Sequence, residues 1–150
     1  MQRHDMPLKA SSRIVVGIDG FTPSIQAART AAEWARTFGC QLELMCVWTA
    51  VPPSFTMVAE EWYPDRQAEK AAAEVVVAVF GASVPEWVNV RIPEGSAAGR
   101  LIEASRTYDL VIVGSRGHGG FAGLLLGSVS AAVAEDAHCP VLVVHETRTA

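Results

Sequence analysis

Between Leu110 and Ser130 the chain places an apolar run, Leu110-Val111-Ile112-Val113, ahead of Gly114-Ser115-Arg116-Gly117, and then Gly127-Ser128-Val129-Ser130. Six glycines fall from Gly114 to Gly127 inclusive. A loop without Cβ atoms lets backbone N–H groups approach a ligand closely. The second Gly-Ser pair stands where a helix is expected to begin, with unpaired N–H groups and a dipole that favour an anion. The chemistry is phosphate binding. The N–H groups around Gly127 to Ser130, the hydroxyls of Ser128 and Ser130 and the Arg116 guanidinium are the candidate donors. Ser128 alone would read as an ordinary helix cap, and its place after the glycine loop turns the reading toward phosphate. Arg116 reads equally as a phosphate partner or as a solvated surface charge.

Asp19 ends a second apolar run, Ile14-Val15-Val16-Gly17-Ile18. A carboxylate beside phosphates would repel them, so Asp19 belongs at the nucleoside end of a ligand. The alternative is a strand-end carboxylate that caps the following turn. Competing motifs fail on spacing. Gly123-x-x-x-Gly127-Ser128 lacks the lysine and frame of a P-loop. Gly117-x-Gly119-x-x-Ala122 matches a dinucleotide fingerprint but has no acidic residue at the end of a following strand. Ser115 is not in a nucleophile elbow, and His118, His138 and His145 show no metal-ligating spacing. No catalytic and no metal-ligating set is assigned.

The elements that must position these residues alternate along the chain. Strands are expected at 13–18, 41–47, 88–92, 110–113 and 141–145, all short and rich in Val, Ile or Leu, as strands covered on both faces are. Helices are expected at 24–38, with Thr22 as cap and Gly39 as stop, and at 65–80, 97–107 and 128–137. Val75-Val76-Val77 suits a strand equally well, and the flanking Glu69, Lys70 and Glu74 favour the helix. The alternation predicts a doubly wound α/β fold, a parallel sheet with right-handed crossovers and helices on both faces. The segment from Thr49 to Pro64, with Pro52-Pro53 and Trp62-Tyr63, reads as a surface loop pinned by its aromatics or as a lid.

At 150 residues the chain is long enough for one self-sufficient domain, expected at 13–150 behind a flexible arm at 1–12. The formal net charge of -4 excludes a basic nucleic-acid surface. No apolar run approaches the roughly 20 residues that span a bilayer, and the N-terminus lacks a signal peptide's apolar core. Cys40 and Cys46 lie about 20 Å apart on one expected strand, too far for a disulfide, and Cys139 stands alone. All three read as buried reduced thiols in a cytoplasmic protein.

The spacing Gly114, two residues, Gly117, nine residues, Gly127-Ser128 resembles the nucleotide-binding signature of the universal stress protein family, in its ATP-binding branch. The opening strand through Asp19-Gly20 and the closing Cys139-Pro140-Val141-Leu142-Val143-Val144 resemble the family's first and last strands, and the likeness covers nearly the whole chain. One departure is Phe21, where the family places a small hydroxyl residue.

The resemblance implies a five-stranded sheet of order 3-2-1-4-5, an adenine nucleotide alpha-hydrolase-like fold. It also implies ATP, with or without magnesium, held at Gly17, Ile18, Asp19, Val47, Val113, Gly114, Arg116, Gly117, Gly127, Ser128, Val129 and Ser130. Asp19 would meet the base or ribose, with backbone from Ile18 and Val47 lining the adenine pocket. Two chains would pair through Val141, Leu142, Val143 and Val144 as a homodimer. The implied role is a regulatory ATP-binding protein of the stress response. The alternatives are a slow ATPase or autophosphorylating enzyme, and a structural dimer whose pocket is vestigial or holds cyclic AMP. Phe21 keeps the last alternative open, as a bulky ring beside Asp19.

Overall fold

Apolar residues occupy both faces of the central strands because helices cover both. The computed structural model describes residues 8–50, 63–116 and 126–146. Within them the order is β1 (Arg13–Gly17), α1 (Thr22–Phe38), β2 (Gln41–Met45), α2 (Pro64–Phe80), β3 (Val88–Arg91), α3 (Ala97–Ala104), β4 (Leu110–Gly114), α4 (Ser128–Asp136) and β5 (Val141–Val144). All pairings are parallel, and the sheet order is β3-β2-β1-β4-β5. The expected doubly wound architecture is the observed one.

One face of the sheet packs Ile14, Val16, Leu42, Leu44, Leu110 and Ile112 against α1 and α2. The alanines of α1, Ala27, Ala28, Ala31, Ala32 and Ala35, let that helix lie close to the strands. The other face packs Val15, Met45, Val111 and Val113 against Leu101 and Ala104 of α3 and Val133 of α4. The valines of α2 are helical. Val75 is fully buried and Val77 is 65% exposed, so the helix needs only one apolar side there, and charged neighbours hold the other in water.

Several boundaries differ from the sequence reading. Thr22 is the first helical residue and Phe21 the N-cap, which makes no side-chain cap bond. Gly39 does end α1, in the left-handed region at φ 70, with its N–H on the Ala35 carbonyl. α3 stops at Ala104, and Arg106 and Thr107 make tighter bonds to the Glu103 and Ala104 carbonyls. Of the arm expected at 1–12, residues 1–7 lie outside the described residues. Leu8 is 5% exposed in the core and Ser12 is buried, its hydroxyl accepting the Lys9 N–H, while Lys9, Ala10 and Ser11 between them are exposed. Most of the segment read as a surface loop or lid, 51–62, also lies outside the described residues.

At the amino ends of the strands Glu43 is buried on β2. Its carboxylate accepts the Tyr108 hydroxyl at 2.6 Å and the Asn89 amide at 3.2 Å, with the Arg91 guanidinium at 3.7 Å. Arg13 donates to the Tyr108 hydroxyl and lies over its ring. Burial, then the bond and charge of Glu43, push the Tyr108 phenol above its ordinary 10.0. Tyr108→Phe removes a bond to a buried carboxylate, a loss of about 1.5–3 kcal/mol, and is expected to lower the melting temperature by about 3–12 °C. The neutral phenol is the form the fold favours. Its contribution is full below about pH 10 and is lost as pH rises through the raised value, so the stability gap between wild type and Tyr108→Phe should narrow in alkali. Thermal denaturation at pH 7 to 11 measures both.

Candidate functional site

A cavity of about 180 Å³ opens at the carboxyl ends of β1, β2 and β4. Gly17, Ile18, Asp19, Val47, Val113, Gly114, Arg116, Gly127, Ser128, Val129 and Ser130 all line it. Residues from four separate stretches of sequence thus share one space. Gly117 lies outside the described residues. Ser24, Met45, Ala97 and Leu101 also line the cavity and were not foreseen. Met45 was legible in principle, since on the strand expected at 41–47 it shares a face with Val47 two residues on, although β2 itself ends at Met45. Ala97 and Leu101 arrive only because the α3 crossover passes over that face.

At the β1 end a small ring of hydrogen bonds fixes the carboxylate. Asp19 donates its N–H to the Ser24 hydroxyl, that hydroxyl donates to the Phe21 carbonyl, and the Phe21 N–H donates to Asp19 Oδ1 at 2.9 Å. The turn-capping alternative for Asp19 is therefore realised through Oδ1, and the side chain still lines the cavity through the same geometry. Gly20 is at φ 85, and a Cβ there would meet Ala71 at 2.9 Å. Phe21 lies beyond the cavity lining. It is half exposed on an adjoining groove of about 630 Å³ that it shares with Trp48, Lys70 and Glu74.

At the α4 end the donors differ from those expected. Gly127 is the N-cap, at φ -72 and ψ 170, an extended conformation open to any residue. Its N–H donates to the Ser115 carbonyl at 2.7 Å. The Ser130 hydroxyl, expected to face a phosphate, is buried and donates to the Ser115 and Gly127 carbonyls at 3.0 and 3.1 Å. Both groups are therefore engaged inside the protein. The remaining donors are the N–H groups of Ser128, Val129 and Ser130, which have no partner within the helix, and the exposed Ser128 hydroxyl. Arg116 is exposed at the rim.

Two site glycines have packing reasons. A Cβ on Gly17 would stand 2.8 Å from Leu101 Cδ1, and one on Gly114 would stand 3.1 Å from the Pro23 carbonyl oxygen. The missing side chain at Gly114 thus lets β4 meet the start of α1, where the sequence suggested access for a ligand. Among the described residues no group of three His, Cys, Asp or Glu side chains could hold a metal ion. No helix among them is long and apolar enough to cross a membrane.

The model of the Universal stress protein family matches residues 11–145 of this chain. The chain belongs to the universal stress protein family. Universal stress protein Rv2624c of Mycobacterium tuberculosis is 37% identical over 131 residues, covering 87% of this chain and 47% of that protein. The chain spans about half the length of the curated mycobacterial relatives it matches. Among solved structures, the universal stress protein UspA from Lactobacillus plantarum superposes with a TM-score of 0.70 at 19% identity, over 90% of this chain and 98% of that one. A universal stress protein crystallised in complex with cAMP gives a TM-score of 0.65 at 26% identity, over 93% of this chain and all of that one.

This universal stress protein carries three free cysteines. Burial, and then the charge of Asp19, push the Cys46 thiol up to about 11. Burial raises Cys40 and Cys139 as well, but Cys139 is only partly buried, contrary to the reading of three buried thiols. A disulfide reagent at pH 8 is expected to modify Cys139 first and about one thiol per native chain, with Cys40 and Cys46 reacting on unfolding. Fast modification of Cys46 in the native protein would contradict the burial.

Proposed function

We propose that this chain binds an adenine nucleotide, ATP foremost, in the cavity between β1 and β4, and acts as a nucleotide-responsive regulatory protein of the stress response. The observation that carries the reading is the polarity of the cavity from end to end. One end has apolar walls from Met45, Val47, Leu101 and Val113 around the anchored Asp19. The other has the open N–H groups of α4, the Ser128 hydroxyl and Arg116. Asp19 Oδ2 accepts the exocyclic amine of adenine, and a guanine would present a carbonyl there instead. The relative crystallised with cAMP supports the adenine choice.

Among the described residues the phosphate end supplies donors rather than cation ligands, and of its side chains there the exposed Ser128 hydroxyl suits a divalent ion. Magnesium would therefore ride on the triphosphate oxygens. A single phosphate needs only the α4 amides, so cyclic AMP is the second reading, favoured by that same relative. Efficient transfer needs a base near the phosphates. Asp19 is the one carboxylate among the described lining residues, and it stands at the nucleoside end, so hydrolysis and autophosphorylation are expected to be slow at most.

Calorimetric titration tests the ligand and its direction. Asp19→Ala is expected to weaken ATP and adenosine alike. Arg116→Ala is expected to weaken ATP about ten- to a hundredfold and to leave adenosine unchanged. A loss at Asp19 confined to ATP would reverse the ligand, and no response to ATP or cyclic AMP would end the nucleotide reading.

β5 pairs with β4 alone among the described strands and forms an edge of the sheet, with no proline from Val141 to Val144. We propose that a second copy covers this edge, in a homodimer working in the reducing cytoplasm where unpaired thiols persist. Light scattering at micromolar concentration should give twice the 16.0 kDa of one chain, and a monomer would remove this interface.

A further inference from the structure

We propose that Ser130 is a positioning residue that ties the base of the glycine loop shut and aims the α4 amides before any ligand arrives, without itself touching phosphate. This deepens the nucleotide reading above and rests on it. Ser115 leaves β4 with its N–H on the Val144 carbonyl, so its peptide is anchored to β5 at 2.8 Å. Its carbonyl then takes two donors from the start of α4, the Gly127 N–H at 2.7 Å and the Ser130 hydroxyl at 3.0 Å. The same hydroxyl reaches the Gly127 carbonyl. Ser115 and Ser130 are 4% and 2% exposed, so water does not compete for these bonds.

The chain leaves this knot at Arg116 and returns to it at Gly127. Tying the two ends at one carbonyl removes the closure entropy that a ligand would otherwise have to supply. It also fixes the first turn of α4, whose free N–H groups carry the positive end of the helix dipole. A hydroxyl whose proton is committed to carbonyls presents lone pairs to anything else, and these repel phosphate oxygen. Both serines line the cavity, but the buried Ser130 hydroxyl is turned into the Ser115 and Gly127 carbonyls, whereas Ser128 is exposed.

Amide hydrogen exchange of the ligand-free protein, read together with ATP and adenosine affinity, tests the assignment. Ser130→Ala is expected to speed Gly127 amide exchange about tenfold, the equivalent of one hydrogen bond near 1.4 kcal/mol. It should also weaken ATP by a similar factor while sparing adenosine. Ser128→Ala is expected to weaken ATP with Gly127 exchange unchanged. Reduced ATP affinity in Ser130→Ala at wild-type exchange rates would make Ser130 a direct ligand and overturn the proposal. Unchanged exchange and unchanged affinity would make it an ordinary core serine and overturn it too. If wild type binds no nucleotide, the functional reading fails separately, and faster Gly127 exchange still supports the tie. Ser130→Cys keeps a weak donor and serves the same comparison if the alanine variant does not fold.

Discussion

The order β3-β2-β1-β4-β5 reverses the direction in which strands are added between β1 and β4, while all strands stay parallel, and the site follows from that constraint. The two strands are hydrogen-bonded neighbours, yet the chain leaves β1 toward α1 on one face and leaves β4 toward α4 on the other. Departing loops that part in this way cannot fill the space between them, so a crevice opens beyond the strand ends. Asp19, Ser115 and the start of α4 all stand at its margins. The crossover from β3 to β4 then carries α3 across the same opening, which roofs it with Ala97 and Leu101.

Two short hydrogen-bond rings turn this crevice into an oriented site. Asp19, Phe21 and Ser24 close one at the end of β1. Ser115, Gly127 and Ser130 close the other at the end of β4. In both, backbone and small side chains satisfy one another locally, so groups pointing elsewhere are held without help from a ligand. One ring leaves a fixed acceptor and the other leaves fixed donors. A chain with a formal charge of -4 can attract a phosphate only through such local donors, because its overall field opposes the approach.

The opposite pole of the sheet has a different task. Glu43 stands opposite Asn89 in the β2–β3 register and bonds to it, and Tyr108 reaches the same carboxylate from the chain entering β4. A slip of β3 by one residue would move Asn89 to the other face and leave a buried carboxylate short of a partner. Polar groups at the amino ends thus hold strand register. The carboxyl ends keep theirs for binding.

The sequence by itself determined the alternation of strands and helices, the stop at Gly39 and the phosphate-like run from Gly114 to Ser130, while the strand order that sets this run beside Asp19 was implied only by the family resemblance. These are local signals: short apolar runs, turn formers and small residues at helix starts. Eleven of the foreseen residues do line one cavity. The helical state of Val75 to Val77 was readable from flanking charges, whereas the packing of Leu8 was not, because nothing in a mixed segment that also holds Met6 and Ala10 marks Leu8 as a plug. Tertiary structure decided which way each group points. Ser128 and Ser130 are the same residue two positions apart, and helical geometry leaves one exposed and turns the other's hydroxyl toward the Ser115 carbonyl. Gly17 and Gly114 look like ligand glycines in a string of letters, but Leu101 and Pro23 occupy the space a side chain would need, and those neighbours are adjacent only once the crossovers have closed.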